Sequence, residues 1–346
     1  MTQQLRAHGA LLDGIRRVNR APVILASVFL ITLLTALPLS LVLRDSIRAS
    51  LGHSLAADEA LRGANYLWWT EYTAAQPAGS IARTFGPSVI GFAVVLDNIS
   101  TLLDQNARPA GLLMLGAAYL LLWLFLAGGI LDRYARNRPT RTHEFFTACG
   151  IYFVRFLRLA PIIGATYYAL FRYVHPWLFG SLYGIATHDV TVERTAFAWR
   201  VGLYCLFGLF LIVVNVIFDY AKARAVIEDR RSMIGAVGAG LRFVRRNLGA
   251  VAALYAMDGL LFLAVIALYG LVAPGAGTSG ALMWLGFLVS QGYLLARLWV
   301  RLVFFASSAS LFQGRLAHTG YVAGTRVPLP EPPIVERALS PVSPEP

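Results

Sequence analysis

Long apolar runs separated by short arginine-rich stretches dominate the pattern along the chain. Pro22 to Leu43 is an unbroken apolar segment, as long as the ~20 residues an α-helix needs to cross a hydrocarbon core of about 30 Å. Similar runs cover Ala110 to Leu131, Cys149 to Tyr173, Phe197 to Phe218, Leu248 to Ala273 and Ala281 to about Phe304. The pattern predicts an all-α polytopic transmembrane bundle of about six spans. Val89 to Leu103 is a seventh apolar segment, but it carries Asp97 and its uninterrupted part is short. It reads as interfacial or re-entrant.

The first run follows Arg16, Arg17 and Arg20, as a signal peptide would, yet it exceeds a signal-peptide core and no small-residue cleavage site follows closely. An uncleaved first span is expected. The membrane domain then occupies 22–313, between a basic N-terminal segment, 1–21, and a proline-dense tail, 314–346. Proline favours extended backbone and cannot build a core. The tail is therefore expected to be disordered, with PxxP recognition as its alternative use.

Composition agrees with a bilayer as solvent: of 346 residues, 57% are hydrophobic and only 14% charged. The net charge of +12 would suggest nucleic acid if the cations lay on polar, aromatic-interleaved surfaces; they flank apolar runs instead, so no nucleic-acid partner is expected. Of the 30 basic residues, 18 lie in the N-terminus, the loops 132–148 and 219–247, and the tail from Gly314. The opposite loops, 44–109, 174–196 and 274–280, hold 6. The positive-inside rule then places both termini in the cytoplasm. Loop 44–109 becomes the external one, with Trp68, Trp69, Tyr66 and Tyr72 anchoring helix at the headgroups or packing an external cap.

Two hairpins resemble each other. ILDRYARNR around Asp132 and IFDYAKAR around Asp219 each lead to an FVR triplet, Phe153 to Arg155 and Phe243 to Arg245. Duplication and chance similarity are both open. In the second hairpin Ser232 is placed to cap a helix with Ile234, Val237, Leu241, Val244 and Leu248 on one stripe, flanked by Arg242 and Arg246 and backed by Gly235, Ala236, Ala239 and Gly240. An apolar face with basic flanks suits the membrane interface, and a small-residue back suits a close neighbouring helix. A basic loop leading into the fifth span is the plainer reading.

Catalytic patterns fail on context. GTSG at Gly277 to Gly280 resembles a protease nucleophile motif, but no histidine follows Ser279 in the next span. His143 and Glu144 begin an HExxH whose last position is Thr147. Cys149 and Cys205 sit in or beside apolar segments, where a thiol serves as a small hydrophobe. No catalytic residue, metal or cofactor is expected.

Charges inside spans are costly enough to need a partner, water or a function. Arg155, Arg158, Asp219, Asp258, Arg297 and Arg301 fall near the inner third of the membrane. Counting from Leu248 puts Asp258 about 15 Å deep, and counting from Met283 leaves Arg297 about 9 Å from the inner edge. The expectation is that Asp258 pairs with Arg297 or Arg301, while Arg155 and Arg158 stay available for an anionic lipid headgroup; snorkelling arginines are the structural alternative.

The stretches FLAGGILDRYARNRPTRTHEFFTACGIYFVRFLRL, DYAKARAVIEDRRSMIGAVGAGLRFVRRN and LLARLWVRLVFFAS, within Gly111 to Ser307, resemble a group of uncharacterised bacterial polytopic membrane proteins. Glu228, Ala236 and Arg246 are similar to a pattern in the membrane domain joined to some glycerophosphodiester phosphodiesterases. The first resemblance implies the multi-span fold and no activity. The second brings no catalytic residue, because no phosphodiesterase domain is readable here. The expected function is a non-enzymatic, transport-associated or envelope-organising component that binds membrane lipid, or a protein partner at loop 219–247. A channel or transporter in its own right, or an intramembrane enzyme, are the alternatives.

Overall fold

The computed structural model describes residues 6–52, 54–60, 65–77, 80–83, 110–273 and 280–315. Val89 to Leu103, Ser279 and the tail beyond Arg315 lie outside them. Among the described residues all regular structure is helical, and six helices are long and apolar enough to cross a membrane.

A first helix, α1 (Ala7–Asn19), leads through Arg20 and Ala21 into α2 (Pro22–Leu51). Pro22 occupies the first helical position, where its missing N–H costs nothing. Two short helices follow, α3 (Ala56–Ala60) and α4 (Tyr66–Ala75). The remaining spans are α5 (Ala110–Arg136), α6 (Thr142–Thr187), α7 (Glu193–Ile227), α9 (Leu248–Val272) and α10 (Ala281–Arg315), with the shorter α8 (Met233–Arg246) between α7 and α9.

Most spans outrun their sequence-based limits. α2 continues past Leu43 to Leu51 and carries Arg44, Asp45 and Arg48 on its extra turns. α6 runs to Thr187, through wide turns at Leu170–Val174 and Trp177–Leu182, so most of the expected loop 174–196 is helix. Pro176 does not end it, because Leu178 is buried with Leu203 and Phe207 of α7 in an apolar cluster. His175 lies in the same cluster, 5.2 Å from the Phe207 ring. Apolar burial here outweighs one lost backbone bond.

At 35 residues each, α7 and α10 measure about 52 Å, some 20 Å more than the hydrocarbon core. The surplus builds a helical bundle at one pole. Most of the buried side chains lie there: Ile130 to Ala135 of α5, Phe218 to Ile227 of α7 and Leu302 to Phe312 of α10, together with Ala10, Gly14, Arg17 and Val18 of α1. Toward the other pole the spans present leucine, valine and phenylalanine outward, as lipid-facing helices do. The basic N-terminal segment is thus a packed helix. Its signal was present as apolar or small residues at Ala7, Ala10, Leu11, Gly14 and Val18.

Both turns at this basic pole use a short polar residue in the left-handed region, Asn137 at φ 47° and Asp229 at φ 48°. The hairpins then diverge. The first FVR lies within α6, which continues across the membrane, whereas the second lies in α8, which ends at Asn247 before α9 begins. Ser232 caps α8, its hydroxyl accepting from the Gly235 N–H at 3.3 Å. The small side of α8 faces α7: a Cβ on Gly240 would stand 3.1 Å from the Ala221 nitrogen. Ile234, Leu241 and Leu248 face outward beside Arg242, Arg245 and Arg246.

Near the far end of α2, Trp68 and Tyr72 stack at 4.9 Å. The Tyr72 hydroxyl donates to Ser46 Oγ at 2.6 Å, tying α4 to the end of α2.

Candidate functional site

The charged residues singled out in the spans separate into three places. Asp219, Arg297 and Arg301 line one cleft of about 590 Å³ between the spans. Their cleft partners include Lys222 and Asn215 of α7, Tyr119 of α5 and Thr32 of α2.

The α7 side is set by local spacing. Asp219 and Lys222 stand three residues apart on one helical face and pair at 2.6 Å. The second oxygen of Asp219 accepts from the Tyr255 hydroxyl of α9 at 2.8 Å. That carboxylate is thereby satisfied within its own wall. On α10, Arg297 and Arg301 follow each other at i, i+4 and project from one face. The Arg301 guanidinium lies 3.6 Å from the centre of the Trp123 ring of α5, a cation–π contact that fixes the group while leaving its hydrogen-bonding edge available. Neither arginine has a carboxylate partner among the described residues, and both keep exposed surface. Across the cleft, the hydroxyls of Thr32 and Tyr119 are 3.1 Å apart. Phe262, Leu294, Leu298 and Phe304 supply apolar wall. The cleft therefore holds three cations against one anion, and the anion is already engaged.

Asp258 corrects the expected ion pair. It is fully buried, but its Oδ2 accepts from the Ser307 hydroxyl at 2.9 Å, and among the described residues no arginine pairs with it. The other oxygen, Oδ1, has no partner among the described residues. The reason is rotation about α10. Six residues separate Arg301 from Ser307, which turns their side chains about 120° apart and displaces them about 9 Å along the axis. Depth counting gave comparable levels, but it assumed that α10 ends near Phe304, whereas the helix continues to Arg315.

Arg155 is a second correction. It is not free for phosphate: Nη1 donates to Asp229 Oδ1 at 2.6 Å and to the Arg230 carbonyl at 3.4 Å, and the guanidinium lies 5.1 Å from the Tyr152 ring centre. It clamps α6 to the α7–α8 turn. Arg158, one turn further along α6, is exposed and has no ion pair among the described residues. The four arginines thus do not share one site, because α6 and α10 present them on different faces.

Lys222, Asn215 and Tyr119 do not stand out in the sequence as members of a site. Lys222 has a local signal, its i, i+3 spacing from Asp219; Tyr119 and Asn215 have none, since a single polar group in a span says nothing about which neighbour it faces. Among the described residues, no group of histidine, cysteine, aspartate and glutamate side chains is gathered closely enough to hold a metal ion.

Fold and cleft together define the class: a multi-pass α-helical membrane protein with a polar, cation-rich cleft set between its spans. The chain matches no known protein family, no characterised protein and no solved structure.

Proposed function

We propose that this protein is a non-enzymatic, transport-associated or envelope-organising component of a bacterial inner membrane, with both termini cytoplasmic, and that its cleft holds the headgroup of an anionic lipid. The observation that carries this reading is the charge surplus at Arg297 and Arg301. Two guanidinium groups without carboxylate partners, inside an apolar wall, match a phosphate with acyl chains attached. The outward stripe of α8 then lies at the inner headgroup layer, its leucines and isoleucine in the acyl boundary and its arginines among the phosphates. The same exposed stripe is where a protein partner would dock.

Native mass spectrometry of the full chain extracted in mild detergent tests the cleft. Arg297→Gln with Arg301→Gln should reduce retained phosphatidylglycerol about tenfold, the equivalent of about 1.4 kcal/mol in binding, while phosphatidylcholine retention stays as it was. Equal phosphatidylglycerol retention in wild type and double variant would remove the lipid reading.

Orientation is tested separately with an impermeant thiol reagent on intact cells carrying Cys205→Ser, the fully buried Cys149 being left in place. Trp68→Cys should react directly, and Arg138→Cys and Arg231→Cys only after permeabilisation. Direct reaction at position 231 would reverse the proposed topology.

A further inference from the structure

A second cavity lies at the basic pole, where α2 begins and the α5–α6 turn passes beside it. It measures about 350 Å³, within the size range of small-ligand pockets, and it is separate from the Arg297 and Arg301 cleft. Its polar end is formed by Arg20, Arg133 and the threonines Thr140 and Thr142. Arg133 is the unusual member. Only 7% of it is exposed, its Nη1 is buried without a hydrogen-bond partner, and it makes no ion pair among the described residues. The neighbouring Asp132 is no help, because it is engaged by Arg136 at 2.9 Å. Among the described residues no carboxylate lines the cavity. Two helix N-termini also meet there, those of α2 and α6, and neither has a side-chain cap, so their positive ends add to the same field.

A buried, unpartnered guanidinium is costly to maintain unless an anion completes the site. The rest of the cavity says what kind of anion. Ile24, Val28 and Ile31 of α2 form one wall and Leu126, Phe145 and Phe146 the other. Ile31 is nine residues beyond Pro22, so the apolar wall extends about 14 Å from the basic end. A free phosphate would leave that wall empty.

We infer that this cavity is a built site for one anionic glycerophospholipid, its phosphate held by Arg133 and Arg20 and one acyl chain lying along Val28, Ile31 and Leu126. The site ties α2 to the α5–α6 hairpin through a lipid and makes the packing of the first span responsive to the anionic content of the membrane.

The test uses the full chain in mild detergent, with phosphatidylglycerol, phosphatidylcholine and inorganic phosphate as probes. Ser27 lines the cavity and is exposed, so Ser27→Trp fills the space without entering the core. Wild type should keep two phosphatidylglycerol molecules through detergent exchange. Arg133→Gln and Ser27→Trp should each lose one of them, with affinity reduced about tenfold, whereas Arg297→Gln with Arg301→Gln loses the other. In the Arg297→Gln, Arg301→Gln background, which removes the other lipid, added phosphatidylglycerol should raise the melting temperature of the delipidated protein, and should not once Ser27→Trp is added. Retention that is equal in wild type and Ser27→Trp overturns the proposal. So does an equal melting shift with inorganic phosphate, which would make this a free-anion site. Should Arg133→Gln not fold, Ser27→Trp alone decides.

Discussion

Replacing Arg17 by alanine is expected to lower the stability of the folded protein by about 3 kcal/mol, near the lower bound for breaking a buried ion pair. Arg17 joins three helices. Its Nη1 donates to the Tyr134 carbonyl at 2.7 Å and to Gln313 Oε1 at 2.9 Å, and its Nη2 pairs with Asp13 at 2.7 Å. Gln313 in turn donates to the Ala135 carbonyl at 2.9 Å, and Ser310 donates to Asp13 at 2.7 Å. The carbonyls of Tyr134 and Ala135 are among the last of α5, which have no partner inside the helix, so α1 and α10 together cap the end of a span. Removing the guanidinium leaves a carbonyl, a carboxylate and an amide short of a donor at once. Asp13 retains 33% side-chain exposure, so water recovers part of the loss, which keeps the figure from the top of the range. Arg17→Lys should fall between, because one ammonium cannot span the same fork. Thermal unfolding in detergent, followed by intrinsic fluorescence, reads the order wild type, Arg17→Lys, Arg17→Ala. An unchanged melting temperature in Arg17→Ala would show that α1 docks through its apolar side alone.

Gly129→Val should cost a similar amount, about 3 kcal/mol, the upper end for overpacking a dense interface. Here α5 and α6 approach at glycine distance. A Cβ on Gly129 would stand 2.5 Å from Cys149 Sγ and 2.9 Å from the Phe145 carbonyl oxygen, and one on Gly128 would stand 2.6 Å from Tyr152 Cβ. The sulfur can move, but the backbone oxygen cannot move without its helix. Gly129→Ala with Cys149→Ala should therefore recover only part of what Gly129→Ala loses. A Cβ on Gly116, on the same helix, would have nothing within 4 Å, and Gly116→Ala should leave stability unchanged to within about 0.5 kcal/mol. Melting temperatures of these variants side by side check this. A loss at Gly116 equal to that at Gly129 would point to lipid contact and away from close helix packing, since alanine is the better helix former.

Much of the architecture was legible in the sequence. Each span announces itself locally, because transfer of about 20 apolar residues into a bilayer needs no information from the rest of the chain. The starts of α2, α5, α9 and α10 accordingly fall where the apolar runs begin. Ser232 and the small back of α8 were likewise readable, since a cap and a helical stripe depend on residues within a few turns of each other.

The candidate site was legible only in part. Arg297, Arg301 and Asp219 were recognisable as costly intramembrane charges, and they do share a cleft. Their partners were not: Asp258 turns to Ser307 and Arg155 to Asp229, and of Lys222 only its spacing from Asp219 was readable. Arg133 looks in the sequence like one more topology-setting cation at a helix end, and its burial comes from α2 and the α5–α6 turn closing around it. The sequence by itself determined that the chain crosses a membrane about six times and which pole is basic, because hydropathy and charge act segment by segment. The tertiary structure decided which charges meet, because that depends on each helix's rotation and its slide along its neighbours. Those are set by close contacts at Gly14, Gly129 and Gly240 between residues far apart in the chain.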